Sequence, residues 1–256
     1  MDPATLIGFT ISLGALIFFM ILEGADPTSL IFLPAIVLVV IATFGAAAAS
    51  QTLDDLKKVG SWFKMAVMPA KVPPATEQIQ TLVSLAEKAR KEGLLALEAQ
   101  VKDIDDPFLK RGLQMGIDGT DPEELRTVLE GEIAAKKSED KVAAKFFVGM
   151  GGYAPTIGII GTVVGLIHVL ENLSSPELLG PLIASAFVAT LWGVLSANIF
   201  WLPMGAKITR ISELQAAQME LLVEGITEIQ AGTSPRAVRQ KLTALVPPSE
   251  VAREAA

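Results

Sequence analysis

The 256-residue sequence has no cysteine and a single histidine, His168. Disulfides and thiolate metal sites are therefore excluded, and no histidine cluster is available for zinc or for acid–base chemistry. The net charge of −7 argues against nucleic acid binding, which needs concentrated lysine and arginine. Walker, nucleophile-elbow and HExxH motifs are also missing. We therefore expect a protein that is not an enzyme and needs no cofactor.

Charge is scarce as well, at 19% of residues against roughly 25% in soluble domains. The shortage comes from four uncharged runs, and a helix that spans a bilayer needs about 20 mostly apolar residues. A chain of this length cannot bury all four runs in a soluble core. The sequence therefore predicts four transmembrane helices, at about 4–22, 29–51, 146–170 and 178–205.

The basic residues predict the orientation. All 21 Lys and Arg residues lie between Lys57 and Lys145 or between Lys207 and Arg253. Basic residues favour the cytoplasmic side of a membrane, so both termini are expected in the cytoplasm. The predicted layout is a first transmembrane hairpin (1–53), a cytoplasmic helical domain (54–145), a second transmembrane hairpin (146–206) and a cytoplasmic tail (207–256).

The cytoplasmic domain is predicted to be helical, and with the spans this gives an all-α membrane protein. Apolar residues recur at helical spacing over 77–101, where Arg90 and Glu98 would share one solvated helix face. A second helix is expected to begin at Asp121, which can cap it. A third is expected to run from Ser138 into the membrane.

Small residues recur every three or four positions in the last two spans. Such spacing lets helix backbones approach closely, which is how helices associate in lipid. We therefore expect these spans to pack on each other through Gly158, Gly161, Gly165, Ala189, Gly193 and Ala197.

Two threonines and two prolines interrupt the same spans. Thr162 and Thr190 either bond to carbonyls of their own helices or line a pathway, and the residues alone leave both open. Pro155 and Pro203 each free a backbone carbonyl and favour a kink. No span carries Asp, Glu, Lys or Arg at mid-membrane depth, although ion pathways usually contain such a residue. If the chain conducts ions, a partner should supply the carboxylate.

Five segments together resemble one known family, the MotA/PomA family of flagellar stator A subunits within the MotA/TolQ/ExbB ion-channel superfamily. The segments are AEKARKEGLLALE (86–98), DPEELRTVLEGEI (121–133), YAPTIGIIGTVVGLIHVLENL (153–173), AFVATLWGVLSANIFWLPMGAKI (186–208) and SPRAVRQKLTALVPP (234–248). The resemblance implies a pentameric ring in the bacterial inner membrane around a MotB/PomB-like B subunit, whose one helix brings an ion-binding Asp. Inward flow of H⁺ or Na⁺ would rotate the ring, which would push the rotor protein FliG.

The same resemblance implies roles for individual residues. Pro155 and Pro203 match prolines that couple ion passage to motion, and Thr162 and Thr190 match residues that form the ion route. Hydroxyl oxygens at both threonine positions suit a transient sodium ion, although proton-driven relatives also carry threonines. Arg90 and Glu98 match a charged pair that contacts the rotor. Two alternatives stay open: a TolQ/ExbB-like energiser of envelope processes, whose relatives have three spans, and a non-conducting membrane scaffold.

Overall fold

A computed structural model describes residues 2–70 and 72–248, and in these ranges the chain is helical throughout, without a strand. The all-α prediction is confirmed. The chain folds as two compact units. Unit 1 comprises Met1–Ala70 and Asp140–Arg210, and unit 2 comprises Lys71–Glu139 and Ile211–Ala256.

The helices follow one another with short connections. The α-helices are α1 (Pro3–Glu23), α2 (Leu33–Ala49), α3 (Leu53–Val67), α4 (Ala75–Glu92), α5 (Glu98–Lys102), α6 (Pro107–Ile117), α7 (Pro122–Glu171), α8 (Pro176–Leu195), α9 (Leu202–Gln230) and α10 (Pro235–Leu245). Two 3₁₀ turns, Pro27–Leu30 and Leu94–Leu97, and a π-helical segment, Ser196–Trp201, complete the described fold.

Polar side chains fix several helix starts. Asp2 accepts a hydrogen bond from the backbone N–H of Ala4 at 3.0 Å, with Pro3 in the first turn of α1. Thr52 and Asp55 form a capping box at the start of α3. Asp121 accepts from the N–H of Glu123 at 2.9 Å, which confirms the predicted cap of α7. These bonds satisfy backbone donors that have no partner within the helix.

Three helices in the described chain are long and apolar enough to cross a membrane: Pro3–Glu23, Pro122–Glu171 and the continuous stretch Pro176–Gln230. The second predicted span corresponds to α2, which is apolar but only 17 residues long. The remaining helix of unit 1, α3, is amphipathic, and its buried residues Val59 and Trp62 pack in a cluster with Phe146 and Phe147.

The π-helical segment interrupts the last apolar stretch just before Pro203. The N–H of Leu202 donates to the carbonyl of Ala197, five residues earlier, instead of to the usual fourth. Pro203 has no N–H, and its ring crowds the carbonyl four residues before it. A widened turn at this point relieves that crowding, and π-turns of this kind are often found at functional sites.

Unit 2 has its own apolar core. Its fully buried side chains come from α4, α7, α9, α10 and the 3₁₀ turn Leu94–Leu97 and include Leu82, Leu97, Leu125, Leu129, Leu222, Ile226 and Leu242. Gly225 lets α9 approach α4, because a Cβ there would lie 2.5 Å from a methyl carbon of Leu82. Most of the predicted apolar face of 77–101 is therefore buried against the other helices of this unit, whereas Leu95 is exposed.

Two predictions about these helices are wrong. The predicted helix over 77–101 ends at Glu92, because Gly93 adopts a left-handed φ of 87° and the chain continues as a 3₁₀ turn and the short α5. Arg90 and Glu98 therefore do not share one helix face. The helices predicted to begin at Asp121 and Ser138 are in fact a single helix of 50 residues, since no residue between them ends the hydrogen-bond pattern.

Candidate functional site

The centre of unit 1 is a close contact between α7 and α8, which we call the glycine seam: Ala154, Gly158, Gly161 and Gly165 of α7 against Ala186, Ala189 and Gly193 of α8. A Cβ added to Gly158 would lie 2.8 Å from the carbonyl oxygen of Ala189. One added to Gly165 would lie 2.7 Å from the Cβ of Ala186. Real Cβ atoms are not found so close to other atoms, so the seam requires glycine on α7.

The seam also contacts α2. A Cβ on Gly161 would lie 2.8 Å both from Ala189 and from a methyl carbon of Leu38. About two turns further along the seam, Val39 of α2 is buried in a cluster with Ala154 and Ala197. All six small residues singled out in the sequence thus lie in or beside the contact of α7 with α8, and two of them, Gly161 and Ala197, lie close to α2.

Two threonines form a hydroxyl pair within the seam. The Oγ1 atoms of Thr162 and Thr190 are 2.5 Å apart. Thr162 Oγ1 also lies 2.9 Å from the carbonyl oxygen of Ala186 and 3.3 Å from that of Gly158. Both side chains are half-buried. Thr162 thus bonds to a carbonyl of its own helix, which is one of the two alternatives that the sequence left open for these threonines. Both hydroxyls also bond to the neighbouring helix.

These distances allow one arrangement of the two hydroxyl protons that favours the shortest contacts over the longer one from Thr190 Oγ1 to the carbonyl oxygen of Gly158, at 3.4 Å. Each hydroxyl has one hydrogen to donate and two lone pairs with which to accept. The two shortest contacts are satisfied together if Thr190 donates to Thr162 and Thr162 donates to the carbonyl of Ala186. Thr190 Oγ1 then keeps both lone pairs and Thr162 Oγ1 keeps one. The pair can therefore offer oxygen lone pairs to a cation or to a proton donor, but it cannot itself titrate near neutral pH.

The two prolines occupy different surroundings. Pro155 is half-buried at the N-terminal end of the α7 side of the seam, where a Cβ on Gly193 would lie 3.2 Å from its Cα. Pro203 is exposed and follows the π-helical segment. It lies 13 positions after Thr190, or about 20 Å along a helix at 1.5 Å per residue. The structure thus places Pro155 beside the seam, whereas Pro203 lies well away from it.

Arg90 and Glu98 both lie in unit 2, whereas the seam belongs to unit 1. Their side chains are exposed, Arg90 in the last turn of α4 and Glu98 at the start of α5. Gly93 and the 3₁₀ turn separate them. They present opposite charges to solvent from two closely following elements.

Buried and half-buried ion pairs in unit 2 could not be read from the sequence. Arg126 of α7 donates to Glu224 of α9 at 2.7 Å, and Lys241 of α10 donates to Glu228 of α9 at 2.5 Å. Burial raises the pKa of Glu228, but hydrogen bonds from Lys241 and Thr233 outweigh it, so this pKa lies below its ordinary value. The hydrogen bond to Glu224 raises the pKa of Arg126.

Two further contacts in unit 1 were also missed. The indole N–H of Trp192 donates to the carbonyl of Leu30 at 2.7 Å, which ties the 3₁₀ turn after α1 to α8. Lys207 donates to the carboxylate of Asp2 and to the hydroxyl of Thr5, and the bond from Lys207 lowers the pKa of Asp2. In the described residues, no cluster of three His, Cys, Asp or Glu side chains could hold a metal ion.

A seam of small residues with hydroxyl groups between two apolar helices is typical of helix packing in membrane proteins. Comparison with known proteins agrees. Residues 100–221 match the model of the MotA/TolQ/ExbB proton channel family. Motility protein A of Bacillus subtilis is 35% identical over 247 residues, which cover 96% of this chain and 92% of that protein. The chain belongs to the MotA/TolQ/ExbB family, a family of ion channels and not of enzymes.

Solved structures show the same fold. The Campylobacter jejuni MotAB structure contains a chain that superposes with a TM-score of 0.93 at 29% identity, covering 97% of both chains. The flagellar MotAB stator complex from Bacillus subtilis gives a TM-score of 0.91 at 34% identity, covering 99% of this chain and all of that one. Likeness over the whole length, and not only at the seam, makes this chain a stator subunit of the MotA type.

Proposed function

We propose that this chain forms the ring of a flagellar stator, in which it conducts ions together with a B subunit and converts their flow into torque on the rotor. The observation that carries the proposal is the hydroxyl pair Thr162–Thr190, 2.5 Å apart in a seam without Asp, Glu, Lys or Arg. Such a seam can accommodate a passing ion but has no group that binds and releases a proton. The carboxylate therefore comes from a MotB/PomB-like partner.

In this proposal the chain crosses the inner membrane four times, with both termini in the cytoplasm. α2 is about 25 Å long at 1.5 Å per residue, slightly short of the roughly 30 Å hydrocarbon core. Residues 30–32, all apolar, add length before it. The distribution of lysine and arginine supports the orientation. Residues 54–145 and 207–256 then lie in the cytoplasm, between and after the hairpins 1–53 and 146–206.

The proposed assembly is a pentamer around the helices of the B subunit. Exposed apolar side chains on the outward faces of the spans, such as Ile160 and Val163 of α7 and Phe187 of α8, support it. In a membrane these faces contact lipid, a neighbouring copy or the B subunit. Arg90 and Glu98, exposed on unit 2, are the proposed contact with the rotor protein FliG.

The proposed ion route passes the threonine pair, and the proposed coupling residues are Pro155 and Pro203. Pro155 adjoins the seam, so a change in ion occupancy can reach the backbone there directly. Pro203 acts through the π-helical segment that precedes it. Hydroxyl oxygens suit sodium, a hard cation, and we favour Na⁺ over H⁺ as the coupling ion.

Complementation tests the function. The chain is expressed with the B subunit encoded beside it in a bacterium that lacks its own stators, and swimming speed is measured. A conducting stator is supported if the chain restores swimming and if Pro155→Ala and Pro203→Ala each abolish it. Assembly without swimming favours a non-conducting scaffold, and rescue of an envelope-energising defect instead favours the TolQ/ExbB-like alternative.

The coupling ion is tested in the same strain. Swimming is recorded over a range of external sodium at fixed pH, and then with the proton gradient collapsed by an ionophore. Speed that follows sodium supports the sodium preference. Speed that is independent of sodium and lost with the proton gradient contradicts it, while leaving the stator function intact.

A further inference from the structure

A lateral crevice of about 510 Å³ lies in unit 1 between α1 and the stretch that runs from the π-helical segment into α9. We call it the α1 crevice. Most of its wall is apolar, with Gly8 and Phe9 on one side and Met204 on the other, and polar groups are few along its length. Its size is within the range of pockets that hold small organic ligands.

One end of the α1 crevice is basic. Lys207 and Arg210 line it there, and no acidic residue is among the described lining residues. The two helices run in opposite directions, because Lys207 meets Thr5 near the start of α1 while Ser12 lines the crevice further along, with Asn198 from the opposite wall. The crevice is therefore an apolar slot with its cations at one end, the end where α1 begins.

The slot is held open by contacts at its ends. The backbone N–H of Asp2 donates to the carbonyl of Val67 at 2.8 Å, and its carboxylate accepts from Lys207. Further along, the rings of Phe9 and Phe200 meet edge to face with centroids 5.0 Å apart. No residue of α1 is buried. This helix is thus fastened at particular points, and its contacts leave the space between them open to the bilayer.

The chemistry of the basic end suits an anion. The ammonium group of Lys207 has three N–H donors. Two of them donate to Asp2 and Thr5, which leaves the third for a ligand. Arg210 brings a planar guanidinium to the same end, and although this side chain already has a partner, its five donors allow it to bind phosphate oxygens as well. Basic pockets between transmembrane helices at the cytoplasmic side are known to bind the headgroups of anionic lipids.

We propose that the α1 crevice is a binding site for an anionic phospholipid, with the phosphate headgroup at Lys207 and Arg210 and an acyl chain along Phe9 and Met204 towards Ser12. An amphiphile matches both parts of the slot, because its charge and its hydrocarbon are arranged in the same order as the cations and the apolar wall. The occupant comes from the leaflet that faces Lys207. An apolar helix face of a neighbouring copy would fill the apolar part but would bring no anion to the basic end.

Lipid quenching of a single fluorophore tests the site. The chain has no cysteine of its own, so Ser12→Cys labelled with bimane reports from inside the crevice. The full-length protein is placed in phosphatidylcholine vesicles that contain either brominated phosphatidylglycerol or brominated phosphatidylcholine. We expect brominated phosphatidylglycerol to quench the label at a mole fraction about fivefold lower than brominated phosphatidylcholine does. A factor of this size is the effect of one basic residue near an anionic membrane surface.

Ile11→Cys is the matched control, since it lies at the same depth of α1, is 66% exposed and does not line the crevice. Both brominated lipids should quench this label equally. Adding Arg210→Gln, which leaves the Asp2–Lys207 bond intact, should remove the preference at Ser12→Cys and leave the control unchanged. Equal quenching by the two lipids at Ser12→Cys would overturn the proposal. So would quenching at Ile11→Cys alone, which would mean that protein and not lipid fills the crevice.

Discussion

Gly158 and Gly193 face each other across the seam with no room for a side chain on either. A Cβ on Gly158 would lie 3.1 Å from the Cα of Gly193, and one on Gly193 would lie 3.0 Å from the Cα of Gly158. Clashes with backbone atoms cannot be relieved by turning a side chain. The position of α7 against α8, and with it the distance between the two threonine hydroxyls, depends on these two residues.

We therefore expect Gly193→Ala to separate the helices and to abolish swimming in the complementation strain. Its methyl group would lie 2.6 Å from the carbonyl oxygen of Ala154, and overpacking of this kind costs about 1–3 kcal/mol. Gly180→Ala on the same helix is the control, because a Cβ there meets nothing within 4 Å. Its thermal stability in detergent and its swimming should match those of the unsubstituted protein. Normal swimming of Gly193→Ala would show that the seam tolerates a wider spacing.

The hydroxyl pair makes its own prediction. Thr190→Val preserves the shape of the side chain but removes its hydroxyl oxygen and the lone pairs that could contact an ion. One hydrogen bond to a charged species contributes roughly 1.4 kcal/mol, which corresponds to a factor of about ten. Ion-driven swimming should therefore fall at least about tenfold. Thr156→Val on α7 is the control, since that hydroxyl bonds only to the carbonyl of Tyr153 in its own helix, at 2.8 Å. Equal swimming by the two variants would remove Thr190 from the ion route.

The ion pair between Glu228 and Lys241 predicts a pH dependence of stability. The pKa of Glu228 is lower in the folded protein than in the unfolded chain, so the unfolded chain binds the proton more readily. Its stabilising contribution is complete above the unfolded value of about 4.3 and is lost as pH falls from about 5 through the folded value. Because Lys241 is half exposed, we expect that contribution to be only about 1 kcal/mol.

Glu228→Gln should therefore lower the melting temperature of the detergent-solubilised protein by about 2–4 °C at pH 7, and the difference should vanish at acid pH. Melting curves from pH 7 down to about pH 2 measure it, because the contribution is lost only as pH falls through the folded pKa of Glu228, which lies below the unfolded value of about 4.3. Glu220→Gln, an exposed position on the same helix, controls for the loss of one carboxylate. A difference that grows as pH falls would have the opposite sign and would contradict the assignment.

Rotor contact is tested by charge reversal. Arg90→Glu and Glu98→Lys should each reduce swimming speed, because both side chains are exposed and neither belongs to the core of unit 2. Assembly with the B subunit, measured by co-purification, should stay normal. Lys137→Glu, exposed on α7, should leave swimming unaffected. If all three variants swim alike, the rotor contact lies elsewhere.

The sequence predicted the all-α fold and its apolar helices, because runs of apolar residues extend over whole segments. The cap at Asp121 and the small-residue spacing of the seam could be read the same way. The break after Glu92 could not, because Leu94, Leu95 and Leu97 keep the apolar period going while Gly93 turns the backbone out of the helix. Periodicity records which side chains are apolar and does not record φ.

Hydrogen bonds between distant segments could not be predicted from the sequence either. Thr162 and Thr190 could be identified as hydroxyls in apolar spans, but their 2.5 Å separation depends on how the glycines let the helices approach. The bond from Trp192 to Leu30 joins residues 162 positions apart. A partner at that distance leaves no local signal in either stretch of sequence.

The widened turn over Ser196–Trp201 works as a one-residue insertion in the register of a long helix. Each residue of an α-helix turns the chain by about 100°, so Lys207, which follows the turn, is rotated by that angle relative to an uninterrupted helix. The direction in which Lys207 points, and hence its reach to Asp2, is set by this offset. If the same residues were wound as a regular α-helix, without the widened turn, Gly193 would stay in place against Gly158, but Lys207 would point about 100° away from the start of α1. A shift of one residue in helical register therefore decides whether Lys207 can bond to Asp2 at the start of α1.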